Sequence, residues 1–337
     1  MIIKTVKLTN FRSHTAYVLN CTKKTSLIVG PNGSGKTSVL EAIYLGLRGK
    51  SFRAADDEIL QRGAEYYRVE LGLMSGEKCV VTYDGNKRQF LVGDKKSARL
   101  PKKYKYPVVL FLPDDLHLVG AGPATRRDYF DRVISQLDES YTSTLSKYNK
   151  TLKQRNELLK KLVETGCESD ESLFSWNVML AKYGTEIRKK RLAFIEGINK
   201  TFTEVYRSIA ENSDEVELKY DVFGGEVSES GFLKRLTDDF KRDLILGHTS
   251  YGVQRDNYEF YFNKVVAEGS ASRGEVRSMI LAMKFIEADL IYKQTGLKPV
   301  VLLDDVFSEL DAERQKALVT NFSENQVIIT SVEAVEV

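Results

Sequence analysis

Cysteine is scarce in this chain. Its 337 residues include three, Cys21, Cys79 and Cys167, an odd number set far apart with no Cys-x-x-Cys pair. That pattern argues against a disulfide framework or a zinc site and makes a reducing compartment the expectation. An apolar leader is also missing, because the opening MIIKTVKLTNFRSH alternates as a strand does. No run approaches the roughly 20 apolar residues that a membrane-spanning helix needs. We expect a cytoplasmic protein with no membrane partner. Internal repeats and low-complexity tracts are absent too. Net charge is nearly so: 50 Lys and Arg against 47 Asp and Glu leave +3, too little to define a partner.

What remains is an ordinary globular composition, 42% hydrophobic and 29% charged, in a chain long enough for a large core. The distribution of charge says more than its sum. Residues 85–106 hold eight Lys or Arg against one acid, Asp94, and residues 147–161 and 182–191 are also basic. A single run of this kind is commonly a solvated face. Three of them raise the alternative of binding a phosphate backbone. Lys102, Lys103, Lys105, Lys189, Lys190 and Arg191 are the candidates.

The first thirty residues read as β, with Ile3–Leu8 alternating and Thr25–Val29 running into glycine. A helix is expected from Lys36 through Leu47. Residues 66–92 alternate between turn signals and resemble an antiparallel layer. Tyr106–Leu112 reads as a buried strand. From Thr125 to Ser208 the pattern becomes helical, with Tyr129, Val133, Leu137, Tyr141, Leu145 and Tyr148 on one face. Helical character breaks near Gly166–Asp170. Strands follow at 215–222 and 257–266, then a helix (Val276–Gln294), a strand (Val300–Asp304), a helix (Asp311–Phe322) and a strand (Val327–Thr330). The alternation is α/β. One lobe is expected from residues 1–124 with 248–337, interrupted by a helical lobe at 125–247.

Two motifs carry chemistry most directly. Gly30-Pro31-Asn32-Gly33-Ser34-Gly35-Lys36-Thr37-Ser38 follows an apolar strand and opens a helix. Its glycines permit positive φ, so backbone N–H groups can turn onto phosphates, with Lys36 reaching the β- and γ-phosphates and Thr37 offering a hydroxyl to Mg²⁺. Val300-Val-Leu-Leu-Asp304-Asp305 is an apolar strand ending in two acids. Asp304 suits the magnesium shell and Asp305 a water-polarising role. Ser272-Arg273-Gly274-Glu275 opens a helix and offers an anion site, although alone it is most often a cap.

With these residues in hand, the chain resembles the RecF family of ABC/SMC-type ATPases. Asn10-Phe11-Arg12, Ser51-Phe52-Arg53, Pro113-Asp-Asp-Leu116, Gly122-Pro-x-x-Arg126-Arg127 with Phe130-Asp131, Lys153-Gln-Arg-Asn156, and the closing LLDD and SELD are similar to family segments in family order. The resemblance implies an α/β, SMC-like ABC-type P-loop ATPase head with an antiparallel β-layer and an inserted helical lobe. It implies ATP and Mg²⁺ as cofactors, with Arg12 in the nucleotide site and Lys36 and Asp305 catalytic. Ser272, Gly274 and Glu275 would meet the ATP of a second subunit in an ATP-dependent homodimer, and Ser308–Asp311 would face its symmetry mate. It further implies weak DNA-stimulated ATP hydrolysis, binding to duplex DNA at single-strand gaps, and work with RecO and RecR to load RecA. Departures are Glu275 for a family glutamine, Gly252-Val-Gln-Arg255-Asp256-Asn257 for a Gly-Pro-His-Arg-Asp-Asp-like motif, and an end soon after the last strand where relatives continue. Aspartate at 305 rather than the usual ABC glutamate, and Thr330-Ser331 where transporters have histidine, imply slow turnover.

Other classes fit less well. A chromosome-tethering SMC head needs a long coiled coil, and no sustained heptads occur between the two ends. A transporter subunit lacks its histidine and its glutamine at Pro113–Leu116. A related nuclease needs an appended acidic metal-binding domain. The alternative retained is a degenerate ATP-binding switch that acts on a protein partner with little DNA binding.

Overall fold

The computed structural model describes residues 2–167 and 170–334. Packing divides the chain into two units, Met1–Leu116 with Glu287–Val337, and His117–Ile286.

The first unit runs β1 (Ile3–Phe11), β2 (His14–Asn20), β3 (Thr25–Val29), α1 (Lys36–Arg48), α2 (Asp56–Ile59), β4 (Tyr67–Leu73), β5 (Lys78–Tyr83), β6 (Arg88–Val92), β7 (Lys95–Ser97) and β8 (Val108–Phe111). Val39, Leu40, Ala42, Ile43 and Leu45 of α1 are wholly buried. A helix apolar on so much of its circumference needs cover on more than one side. It has that cover. Strands β1, β4 and β5 of a six-stranded antiparallel sheet, ordered β2-β1-β4-β5-β6-β7, pack on it. Gly46 lets the helix come close, since a Cβ there would lie 2.4 Å from a Leu71 methyl.

The second unit runs α3 (Pro123–Leu137), α4 (Glu139–Thr165), α5 (Ser172–Asn199), α6 (Phe202–Ala210), β9 (Val216–Asp221), α7 (Glu229–Asp238), α8 (Phe240–Leu246), β10 (Asn257–Phe262) and β11 (Val265–Val266), and then enters α9 (Arg273–Thr295), which carries the chain back to the first unit. The unbroken helix that the apolar spacing of Tyr129–Tyr148 suggests is in fact two. Asp138 is extended at the break, and its side chain accepts from the backbone N–H groups of Ser140 and Tyr141 to start α4. The expected lobe boundary at residue 248 falls between β9 and β10, which are hydrogen-bonded from Asn257–Asp221 to Phe262–Val216. The second unit therefore continues to Ile286. The predicted break at Gly166–Asp170 begins with Gly166 closing α4 at φ 66°, while Glu168 and Ser169 lie outside the described residues.

Arg155, Arg188 and Arg191 are fully buried in this second unit, each against an acid. Arg155 donates to Asp243, Arg188 to Asp256, and Arg191 to Asp131. Family-like segments supply both sides of this network. Asn156 accepts from the Thr249 N–H, Arg127 donates to the Asp256 carbonyl, Arg126 donates to Asn257, and Phe130 stacks on Tyr258 at 4.1 Å. The altered Gly252–Asn257 segment is thus a packing element here. Arg191, offered above as a phosphate contact, is 1% exposed and committed to Asp131. Lys190 sits 2.6 Å from Asp138. The basic run 182–191 is a two-faced helix, and its arginines point inward.

The chain closes the first unit with β12 (Val300–Asp304), α10 (Ala312–Asn321) and β13 (Val327–Ser331). Strands β3-β13-β12-β8 form a four-stranded parallel sheet whose β8, β12 and β13 are buried at every residue. Such unbroken apolar strands are those of a parallel sheet covered on both faces. Its strands β8, β12 and β13 also touch α1. The register pairs Asp304 with Thr330 and Ser331 with Val29, which gathers the carboxyl ends of the strands where the glycine-rich loop leaves β3. Among the described residues, no helix is long and apolar enough to cross a membrane.

Candidate nucleotide site

The glycine-rich loop is tied to the sheet at its first residue, where the Gly30 N–H donates to the Ser331 carbonyl. Gly33 and Gly35 hold φ of 82° and 93°, a left-handed region costly for other residues. At Gly35 space is short as well, because a Cβ would lie 2.5 Å from His14 Nε2. Lys36 folds back over the loop, its Nζ donating to the carbonyls of Gly30 (2.9 Å) and Pro31 (3.2 Å). The same Nζ lies 3.5 Å from the Asp305 carboxylate.

The two motifs also meet at Asp304. Asp304 Oδ1 accepts from Thr37 Oγ1 at 2.9 Å and from Thr330 Oγ1 at 2.8 Å. Burial pushes the Asp304 carboxyl above the ordinary range, against the lowering effect of those hydroxyls, and the neighbouring Asp305 charge adds to the rise. Asp305 itself has φ 50°, and its N–H donates to Thr330 Oγ1 at 2.9 Å. This left-handed turn at the strand end aims the carboxylate back toward Lys36. Its Oδ1 is buried without a hydrogen-bond partner, and a carboxylate oxygen so placed wants a donor or a cation. The oxygens of Thr37, Asp304 and Asp305 are hard ligands of the kind Mg²⁺ prefers when phosphates and water complete its shell. The donor set fits the metal.

An open cavity of about 600 Å³ lies over the loop, lined by Asn32, Gly33, Gly35, Lys36, Thr37, Ser38 and Asp305, with Arg12, Ser13, Arg53, Glu58, Leu60 and Arg62 completing its wall. The expected residues of the loop, Arg12, Asp304 and Asp305 are therefore brought together in the first unit. Arg53, Glu58 and Arg62 were missed as site residues. Arg53 stood in a family-like segment without an assigned task, and nothing local marked the other two.

Ser272, Gly274 and Glu275 belong to the second unit. The Ser272 N–H donates to Glu275 Oε2 at 2.6 Å, and the Glu275 N–H donates to Ser272 Oγ at 3.3 Å. This reciprocal pair is a capping box at the start of α9. Glu275, which departs from the family glutamine, here accepts from the cap. In the first unit Ser308 Oγ donates to the Asp305 carbonyl, and Asp311 caps α10 by accepting from the Arg314 N–H.

Residues 1–242 match a family described as an AAA ATPase domain. The DNA replication and repair protein RecF of Agathobacter rectalis is 34% identical over 98% of this chain and 92% of its own length. A solved structure described as the recombination mediator protein RecF–ATP of the RecFOR pathway superposes with a TM-score of 0.89 at 29% identity, covering 100% of this chain and 93% of that one. The Smc head domain of Pyrococcus furiosus, at 18% identity and a TM-score of 0.50 over 99% of this chain and 90% of that one, shares the fold. The architecture is accordingly the SMC-like ABC ATPase head that the motifs implied, and the chain belongs to the RecF family of DNA replication and repair proteins.

Proposed function

We propose that this chain is an ATP-switched DNA-binding protein of recombinational repair, with slow hydrolysis as its release step. The observation that carries the nucleotide part is the Thr37–Asp304 hydrogen bond, which joins two motifs distant in sequence beside Lys36 and Asp305. Lys36 and the loop N–H groups hold the phosphates, Thr37 and Asp304 hold Mg²⁺, and Asp305 orients the attacking water. Bound Mg²⁺ neutralises charge on the phosphates. The shorter reach of aspartate at 305 supports slow turnover.

Ser272, Gly274 and Glu275 contact the nucleotide of a second copy in this reading, so ATP closes a homodimer. The Ser272 N–H and hydroxyl would then exchange capping partners for phosphate oxygens. The exposed Lys102, Lys103, Lys105 and Lys189 remain the candidates for DNA. The RecFOR description of the solved relative supports work with RecO and RecR, and RecA would be the protein they load in this reading. The degenerate switch with little DNA binding stays the alternative, and the contacts of Asp256 and Asn257 with Arg188 and Arg126 support a packing task for the altered segment. Hydrolysis of ATP measured with and without gapped duplex DNA tests the proposal. Slow hydrolysis that DNA accelerates and that Lys36→Ala abolishes is expected, and turnover unchanged in Lys36→Ala overturns it.

A further inference from the structure

The end of α1 away from the phosphate loop borders a second cavity of the first unit, about 260 Å³ in volume. Gly46 and Leu47 of α1 line it, about 15 Å along the helix from Lys36 at 1.5 Å per residue. Its base is apolar, with Leu47, Cys79 and Val92 only 3%, 4% and 2% exposed. The thiol there is already satisfied, since Cys79 Sγ donates to the Gly46 carbonyl at 3.3 Å. At the mouth stand Met74 and Leu297, 53% and 43% exposed. The walls are bolted in place. The Tyr106 N–H donates to the Leu47 carbonyl at 3.0 Å, the Tyr106 hydroxyl to the Lys298 carbonyl at 3.1 Å, and the Met74 N–H to the Ile2 carbonyl at 2.9 Å. The cavity is therefore preformed, as binding pockets commonly are.

Cations crowd its edge. Lys103 and Lys105 line it, and Lys95 of β7 pairs in register with Val92 at its base. Lys95, Lys96, Lys103 and Lys105 are exposed and, among the described residues, have no ion-pair partner. Lys103 rests on the Tyr104 ring at 4.6 Å. Two acids stand against them, Glu77 on the lining and Asp94 just before Lys95. An occupant must therefore bring an apolar group for the base and negative charge beside it. The volume is below the roughly 300–1,000 Å³ of small-molecule sites and suits one large side chain. A DNA backbone would meet the lysines but bring nothing apolar to fill the base.

We propose that this cavity docks a protein partner through one large apolar side chain, aromatic or leucine, in a segment whose neighbouring Asp and Glu residues pair with Lys95, Lys103 and Lys105. The anchor supplies affinity by displacing water from a preformed pocket, and the acids supply attraction and orientation. Lys103 and Lys105, named above among the candidates for DNA, have a protein partner in this inference. The surface is separate from the phosphate loop and does not depend on nucleotide.

Selection of a random displayed peptide library on the full chain, followed by fluorescence anisotropy of the recovered peptides, tests the proposal. Those peptides should share an aromatic residue or leucine flanked by acids. Met74→Ser with Leu297→Ser strips the mouth of apolar surface without changing charge, and should weaken them by about tenfold. Lys103→Gln with Lys105→Gln should weaken them by about fivefold at low salt, a loss that disappears at high salt. All four side chains are exposed or at the mouth, so thermal unfolding and ATP binding should be unchanged in both variants. Peptides without a shared anchor, a consensus without acids, or binding indifferent to the Met74 and Leu297 changes overturns the proposal. Gapped duplex DNA that is lost with Lys103→Gln and Lys105→Gln, while the peptides are not, assigns the lysines to DNA and overturns it as well.

Discussion

Asp256→Asn should damage the second unit more than its modest chemistry suggests. Both residues of the Arg188–Asp256 pair have side chains that are 0% exposed. Asp256 Oδ2 accepts from Arg188 Nε at 3.0 Å and from the Tyr220 hydroxyl, while Oδ1 accepts from Arg188 Nη2 at 2.7 Å and from the Phe223 N–H at 2.9 Å. An amide can replace only one of those oxygens. Whichever way it turns, its NH₂ faces an arginine N–H and one other donor, and the guanidinium loses its buried counter-charge. Breaking such a pair costs about 3–5 kcal/mol. An exposed pair gives the contrast: Lys293 and Asp289 are 66% and 49% exposed, and Lys293→Ala should cost less than about 0.5 kcal/mol. Urea unfolding followed by circular dichroism measures both. Replacing the pair together, Arg188→Met with Asp256→Leu, should recover part of the loss, since apolar substitutes avoid the desolvation of both charges but leave the Tyr220 hydroxyl and the Phe223 N–H without their acceptor. A loss below about 1 kcal/mol in Asp256→Asn, or no recovery in the double variant, refutes the reasoning.

Asp304→Asn should abolish ATP hydrolysis yet raise the stability of the first unit at neutral pH, by up to about 2 kcal/mol. The sign follows from the raised pKa of Asp304: the folded state favours the proton, so this group's stability is complete below the unfolded value of about 3.9 and is lost as pH rises through the folded one. The advantage of asparagine should accordingly vanish in urea titrations near pH 3. Thiol titration offers an independent check of packing. Cys21 and Cys79 are buried, with burial pushing the Cys79 thiol up to about 11, and Cys167 is exposed. A disulfide reagent at pH 8 should label one thiol in the native chain and three in urea.

Much of the first unit was legible because its signals are local. The strand, the glycines and Lys36-Thr37 are contiguous, and the β-branched apolar run before Asp304 suits a buried strand. The antiparallel layer over 66–92 showed in its alternation and its turns. The second unit was harder, since what organises it is pairing between distant residues. Nothing near Arg188 or Arg191 announces Asp256 or Asp131, so a basic run read as surface. The break at Asp138 was hidden because apolar spacing carried across it, although the aspartate before Glu-Ser-Tyr is a capping signal.

The dimer is the most direct test of the proposed switch. Asp305→Asn should retain Mg²⁺-ATP without turning it over, and light scattering or sedimentation should then report dimers with ATP and monomers with ADP. Adding Ser272→Arg, which places a bulky cation at the capping box of α9, should return the ATP-bound chain to monomers. Monomers under every condition, or dimers that ignore the nucleotide, would contradict an ATP-closed clasp.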